Sequence, residues 1–190
     1  MAKIARLGIV LFAITLITGM ILGKVYTVTL EPIAATKQKE KMEALAQTLP
    51  GAKEFKTLKI ATDPTGTIRE INIGTADGQL IGYNITVAPK GYAGLIEMVV
   101  GIRKDGQLMD IKILNHSETP GLGAKAPEAP FAGQFKNKKT ENLTVVKTPT
   151  TNENEIQAIS GATITSTAVA TGVNEALYFW KNNLKDGGAQ

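Results

Sequence analysis

The sequence predicts an α+β fold: an antiparallel β-sheet packed with helices, preceded by one N-terminal transmembrane helix. Three observations predict it: an uncharged apolar run from Leu7 to Gly23, two alternating segments that each turn at Asp-Gly, and a C-terminal stretch with apolar residues at helical spacing. With 190 residues, 43% of them hydrophobic, the chain suffices for one globular domain plus an anchor.

The anchor comes first. Beyond Gly23 the run continues past Lys24 through Val25, Tyr26, Val28 and Leu30. About 20 mostly apolar residues are what a helix needs to cross the hydrocarbon core, and Lys24 can snorkel to the interface that also suits Tyr26. A cleaved secretory signal is the competing reading. The small-residue cleavage pattern is weak, however, and the apolar run exceeds a typical signal core. Lys3 and Arg6 precede the span, so the positive-inside rule puts the N-terminus in the cytoplasm and everything after Leu30 outside. The expected organisation is a cytoplasmic N-terminus (1–6), a transmembrane anchor (7–29), a membrane-proximal helix and linker (30–52), and an extracytoplasmic domain (53–190).

Between Thr36 and Leu49, Met42, Leu45, Ala46 and Leu49 recur among lysines and glutamates, the pattern of an amphipathic helix that Pro50 and Gly51 end. Thr67 to Val87 then reads as a hairpin turning at Asp77-Gly78, and Leu95 to Leu114 as another turning at Asp105-Gly106. From Asn115 to Lys139 the alternation stops. Pro120, Gly121, Gly123, Pro127 and Pro130 make this a long irregular loop, and such loops in compact domains are functional or disordered. The last element, Ser166 to about Leu184, carries Val169, Val173, Ala176, Leu177 and Trp180 on one helical face, with Ser166 as its N-cap.

Charge and composition narrow the chemistry. Of 21 basic residues, Lys3, Arg6 and Lys24 lie before the first acid, which leaves 18 basic against 17 acidic from Glu31 onward. A domain so balanced lacks the electrostatic footprint of a nucleic-acid binder. With no cysteine there are no disulfides, thiolate metal sites or thiol nucleophiles, and His116 is the only histidine. No metal site and no catalytic triad is expected, and any redox chemistry has to come from a bound organic cofactor.

Two stretches remain: Ser160-Gly161-Ala162-Thr163-Ile164-Thr165-Ser166 and, earlier, His116-Ser117-Glu118-Thr119-Pro120-Gly121-Leu122-Gly123. The first is a run of small and hydroxylated residues leading into a helix N-terminus, where free amides and the helix dipole favour an anion such as phosphate. On the residues alone, an ordinary capped turn before a C-terminal helix is the better account. The glycines of the second suit either a simple turn or the close approach of backbone to a flat ligand. Neither is a dinucleotide fingerprint.

In this order, with the N-terminal anchor and the Gly91-Tyr92-Ala93-Gly94-Leu95-Ile96-Glu97 opening of a strand, the two stretches resemble the FMN-binding domain of the family of Rnf G subunits, shared with the C subunit of the sodium-translocating quinone reductase. The resemblance implies FMN joined through its phosphate to Thr163 by a dedicated flavin transferase, with Ser160, Gly161 and Ala162 leading to the attachment point. It also implies that Glu118, Thr119, Gly121, Leu122 and Gly123 lie along the isoalloxazine. Thr163 is then an attachment point, and no residue is catalytic by itself. The family motif usually carries Asp three residues before the Ser, where this chain has Gln157. Lys125 is a candidate to face the reduced flavin, although a lysine in a polar loop is ordinarily solvated.

By that resemblance the chain is an electron-carrier subunit of an ion-translocating ferredoxin:NAD+ oxidoreductase in the cytoplasmic membrane, with the other Rnf subunits as partners. Two alternatives stand beside it: a stand-alone anchored flavoprotein feeding an extracytoplasmic reductase, and a flavin-free extracytoplasmic binding module.

Overall fold

The structure, a computed structural model, describes residues 2–58 and 66–185. The chain divides into two compact units, Met1–Lys41 and Met42–Gln190. The end of the expected domain, 186–190, and the stretch 59–65 lie outside the described residues.

Helix α1 runs without interruption over Ala2–Thr48. The amphipathic helix expected over Thr36 to Leu49 is part of this same helix, which ends at Thr48. Pro32 lies inside α1 and removes only one backbone hydrogen bond, and no glycine stands between Gly23 and Gly51 to stop the helix. Its most apolar 18-residue stretch has a mean hydropathy of 2.2, long and apolar enough to cross a membrane.

Five antiparallel strands follow in a simple meander: β1 (Glu54–Leu58), β2 (Ile68–Ala76), β3 (Gln79–Val87), β4 (Glu97–Arg103) and β5 (Leu108–Asn115). Both expected hairpins are present, and their turns differ. At β2–β3, Asp77 and Gly78 have φ of 51° and 76°, the pair of positive angles that a two-residue turn needs to match strand twist. At β4–β5 only Gly106 is positive, and the Arg103 amide donates to the Gln107 carbonyl. The strand β1 was not expected. It pairs at the edge of β2 with Glu54 opposite Thr75.

The sheet has two covered faces. Tyr83, Ile85, Val87, Met98, Val100, Ile102, Leu108, Ile111 and Ile113 pack against Val169, Val173, Ala176 and Leu177 of helix α3 (Thr163–Phe179). This is the apolar stripe read from the sequence, and Trp180 closes it within the single π-helical turn Trp180–Leu184. The opposite face receives the last turn of α1, with Ala44 and Leu45 against Val99. There Gly74, Gly82 and Gly101 on β2, β3 and β4 leave room for Thr48 and Leu49. A Cβ at Gly74 would run into the Leu49 side chain, one at Gly82 would meet the Ile102 carbonyl before Leu49, and one at Gly101 would collide with the Thr48 carbonyl. Asn84, fully buried, donates to the Thr48 hydroxyl at 2.7 Å and to the Leu45 carbonyl at 3.2 Å, serving a carbonyl of the helix's last turn.

The long loop is more ordered than its composition suggests. It contains a 3-10 turn (Gly123–Lys125), a one-turn helix α2 (Ala129–Ala132) and a second 3-10 turn (Gly133–Phe135). Phe131 and Phe135 pin it to the core, edge to face with ring centroids 5.5 Å apart. A short parallel pair, β6 (Thr144–Val146) and β7 (Glu155–Gln157), leads into α3. Asn174 of α3 holds this region by two hydrogen bonds to the backbone of Leu143, at 2.7 and 2.9 Å.

Candidate functional site

Helix α3 starts at Thr163, three residues before the expected N-cap Ser166. The Ser166 amide already donates to the Ala162 carbonyl at 3.0 Å, so this residue is helical. Its buried hydroxyl donates to the same carbonyl and accepts the Ile159 amide at 3.0 Å, which ties the preceding turn to the helix. The residue at the N-cap position is Ala162, whose side chain caps nothing. The first-turn amides of α3 are thereby left for another acceptor.

The three hydroxyls of this turn have separate fates. Thr165 is buried, 2% exposed, and donates to the Glu118 carboxylate at 2.5 Å. Ser166 is spent on the backbone. Thr163 is half-buried, and no protein group among the described residues bonds its hydroxyl. Spacing explains the difference: from a helix that begins at Thr163, positions 165 and 166 turn inward while 163 lies at the rim.

A cavity of about 520 Å³ opens at this rim, lined by Tyr92, Glu118, Thr119, Leu122, Gly123, Gly161, Ala162, Thr163, Ile164 and Thr165. Its size falls within the usual range for organic ligands, ~300–1,000 Å³. Seven of the residues named from the sequence meet in it: Glu118, Thr119, Leu122, Gly123, Gly161, Ala162 and Thr163. Ser160 is exposed outside it, and so is Gly121, whose φ of 79° shows that glycine is needed there for the backbone turn. Gly161, at φ 76°, touches the cavity, and a Cβ there would come within 3.0 Å of Leu122. Lys125 is exposed and away from the lining, and His116 accepts the Glu118 amide through Nδ1 at 3.3 Å, a structural contact.

Tyr92, Ile164 and Thr165 are the lining residues that sequence reasoning missed. Tyr92 and Ile164 are 69% and 58% exposed, large apolar surfaces at the cavity rather than in the core. Ile164 and Thr165 lay within the Ser160–Ser166 stretch, and Tyr92 within the Gly91–Glu97 strand opening. Glu118 is 5% exposed and accepts hydrogen bonds from the Thr165 hydroxyl and the Ala93 amide, with the Tyr92 and Gly94 amides contributing. Burial pushes its carboxyl up, but these donors outweigh burial and hold it below the ordinary carboxylate range. Among the described residues no cluster of side chains suits a metal ion.

An uncapped helix N-terminus and small residues thus border an apolar-rimmed cavity, the makings of a site for an organic phosphate, and residues 91–178 match a family described as FMN-binding domain. The chain belongs to the family of G subunits of the Rnf-type ion-translocating oxidoreductase complexes. It is 39% identical, over 85% of its length and 83% of the relative's, to the G subunit of the proton-translocating ferredoxin:NAD(+) oxidoreductase complex of Clostridium ljungdahlii. It is 35% identical to the counterpart in the Na(+)-translocating complex of Acetobacterium woodii, over 95% of this chain and 93% of that one. Crystal structures of NqrC from Shewanella oneidensis and of the C subunit of the Na(+)-translocating NADH-quinone reductase from Parabacteroides distasonis superpose with TM-scores of 0.58 and 0.59. Each covers 77% of this chain, and 92% and 93% of the respective structures are matched; at 19% identity the likeness is one of fold.

Proposed function

We propose that this chain is the flavin-bearing electron carrier of a membrane-bound ion-translocating ferredoxin:NAD+ oxidoreductase complex, with FMN esterified through its phosphate to Thr163. The observation that carries the reading is the unshared hydroxyl of Thr163, in the first turn of α3 and on the wall of the cavity, while Thr165 and Ser166 are engaged elsewhere. A bound FMN supplies one- and two-electron transfer. The chain's own part is to hold the phosphate on the first-turn amides of α3 and to exclude water from the ring with Leu122, Ile164 and Tyr92.

The chain is one redox component and does not complete a reaction alone. Its partners are the other subunits of the complex, and a flavin transferase acts on it during maturation. The apolar part of α1 anchors it in the cytoplasmic membrane, and Lys3 and Arg6 keep the N-terminus inside, so the cavity faces the extracytoplasmic side.

The test is the intact mass of protein purified from a host that has the transferase. The expected mass is that of the chain plus one FMN less one water, with flavin fluorescence surviving denaturation. Loss of both in Thr163→Ala and their survival in Thr165→Ala supports the site. The reverse pattern moves the attachment to Thr165 and refutes the assignment.

A further inference from the structure

Glu118 is an acid in an unusual setting. It is 5% exposed, both its oxygens are used, and among the described residues no Lys, Arg or His pairs with it. Its Oε1 accepts the Ala93 amide at 2.9 Å and its Oε2 the Thr165 hydroxyl at 2.5 Å. Two glycines leave room for it: a Cβ on Gly91 would stand 2.5 Å from Oε1, and one on Gly123 would stand 2.7 Å from Oε2. Gly123 is thus glycine because the Thr165 hydroxyl, 2.5 Å from such a Cβ, and the carboxylate together occupy the space its side chain would need. The chain closes around this group from three segments, 91–94, 118–123 and the first turn of α3.

All the donors are neutral dipoles. They stabilise the carboxylate without cancelling its charge, and a charge in a weakly screened wall acts over several ångströms. Glu118 and Thr165 both line the cavity. We propose that Glu118 is a fixed negative charge in the cavity wall which opposes added negative charge on an isoalloxazine held there and so lowers that flavin's reduction potential. The proposal rests on the reading of this cavity as the flavin pocket. A mere clip between loop and helix does not need the charge: a glutamine keeps an acceptor for Ala93, and the Thr165 hydroxyl can turn to accept from its amide.

The experiment compares the midpoint potential of the flavin in the full-length wild type and in Glu118→Gln by spectroelectrochemistry at pH 8. Removal of the charge is expected to shift the reduction equilibrium about tenfold towards the reduced form, a rise of about 30 mV for a two-electron couple. An unchanged or lowered potential overturns the proposal, because a clip alone leaves no reason for a rise. Thr165→Val supplies a second arm should Glu118→Gln not fold. It removes a donor and keeps the charge, so its potential stays at or below that of the wild type; a rise there also overturns the proposal. Intact mass is measured on the same samples. If the wild type carries no covalent flavin, added FMN bound without a covalent link gives the same comparison, which separates failure of the attachment reading from failure of this one.

Discussion

The Thr165 hydroxyl donates to the Glu118 carboxylate at 2.5 Å across 47 residues of sequence, and both side chains are buried. This bond joins the loop after β5 to the first turn of α3, and both residues line the cavity. Thr165→Val preserves the shape and leaves a buried carboxylate short of one donor. Hydrogen bonds to charged groups contribute about 1.5–3 kcal/mol, so urea unfolding of the solubilised protein is expected to lose about that much stability. An unaltered unfolding midpoint contradicts the role given to this bond.

The same carboxylate makes stability depend on pH. Its folded-state pKa is depressed, so its contribution is fully present above the unfolded value of about 4.3 and is lost as pH falls through the folded value. Asp105, held down to about 2 chiefly by its hydrogen bond to Arg103, loses its contribution in the same acid range, so the wild type alone does not isolate Glu118. The difference in stability between wild type and Glu118→Gln does. It is expected to be level at neutral pH and to shrink below about pH 4; a difference that grows on acidification reverses the sign and refutes the assignment.

Thr163 is half-buried and its hydroxyl is bonded to no protein group among the described residues, whereas Thr165 is buried and its hydroxyl bonded. Thr163→Ala in protein made without the transferase is therefore expected to unfold within about 0.5 kcal/mol of wild type, as surface substitutions do. A larger loss in the unfolding curve means the side chain packs or bonds in a way this structure does not have. With the transferase present, Thr163→Ser keeps a hydroxyl at the same place and is expected to retain partial labelling by mass.

Gly101 on β4 faces the carbonyl of Thr48, and an added Cβ would collide with that backbone atom. Overpacking a close contact costs about 1–3 kcal/mol, so Gly101→Ala is expected to lower stability by at least that range. Gly133, with φ −63° and nothing within 4 Å of a Cβ, is the control, and Gly133→Ala should unfold as the wild type does. Equal unfolding midpoints for the two variants dismiss the close approach of α1 to the sheet.

The chain has no cysteine, which makes topology simple to read. A cysteine introduced at exposed Lys112 on β5 is expected to react with a membrane-impermeant maleimide in intact cells, and one at Ala5 only after lysis. The opposite pattern puts the cavity on the cytoplasmic side.

Local chemistry was legible without the fold. The uncharged run from Leu7 to Gly23, the Asp77-Gly78 turn and the stripe Val169, Val173, Ala176, Leu177 are each decided by the residues within one element, since periodicity and turn angles are local properties. The two motifs that meet at the cavity were likewise visible as runs of small and hydroxylated residues. Only the tertiary structure decided what those residues do. Helix α3 begins at Thr163, and that one choice turns Thr165 and Ser166 inward, makes Ser166 a helical residue instead of a cap, and leaves Thr163 at the rim. Glu118 read as a residue against the ligand, and the fold gave it a buried contact with Thr165 and glycines on both sides. The continuous α1 and the glycine groove beneath its last turn were equally hidden. Such contacts lie between segments tens of residues apart, and a hydrophobic pattern reports which face of an element is buried without reporting which partner covers it.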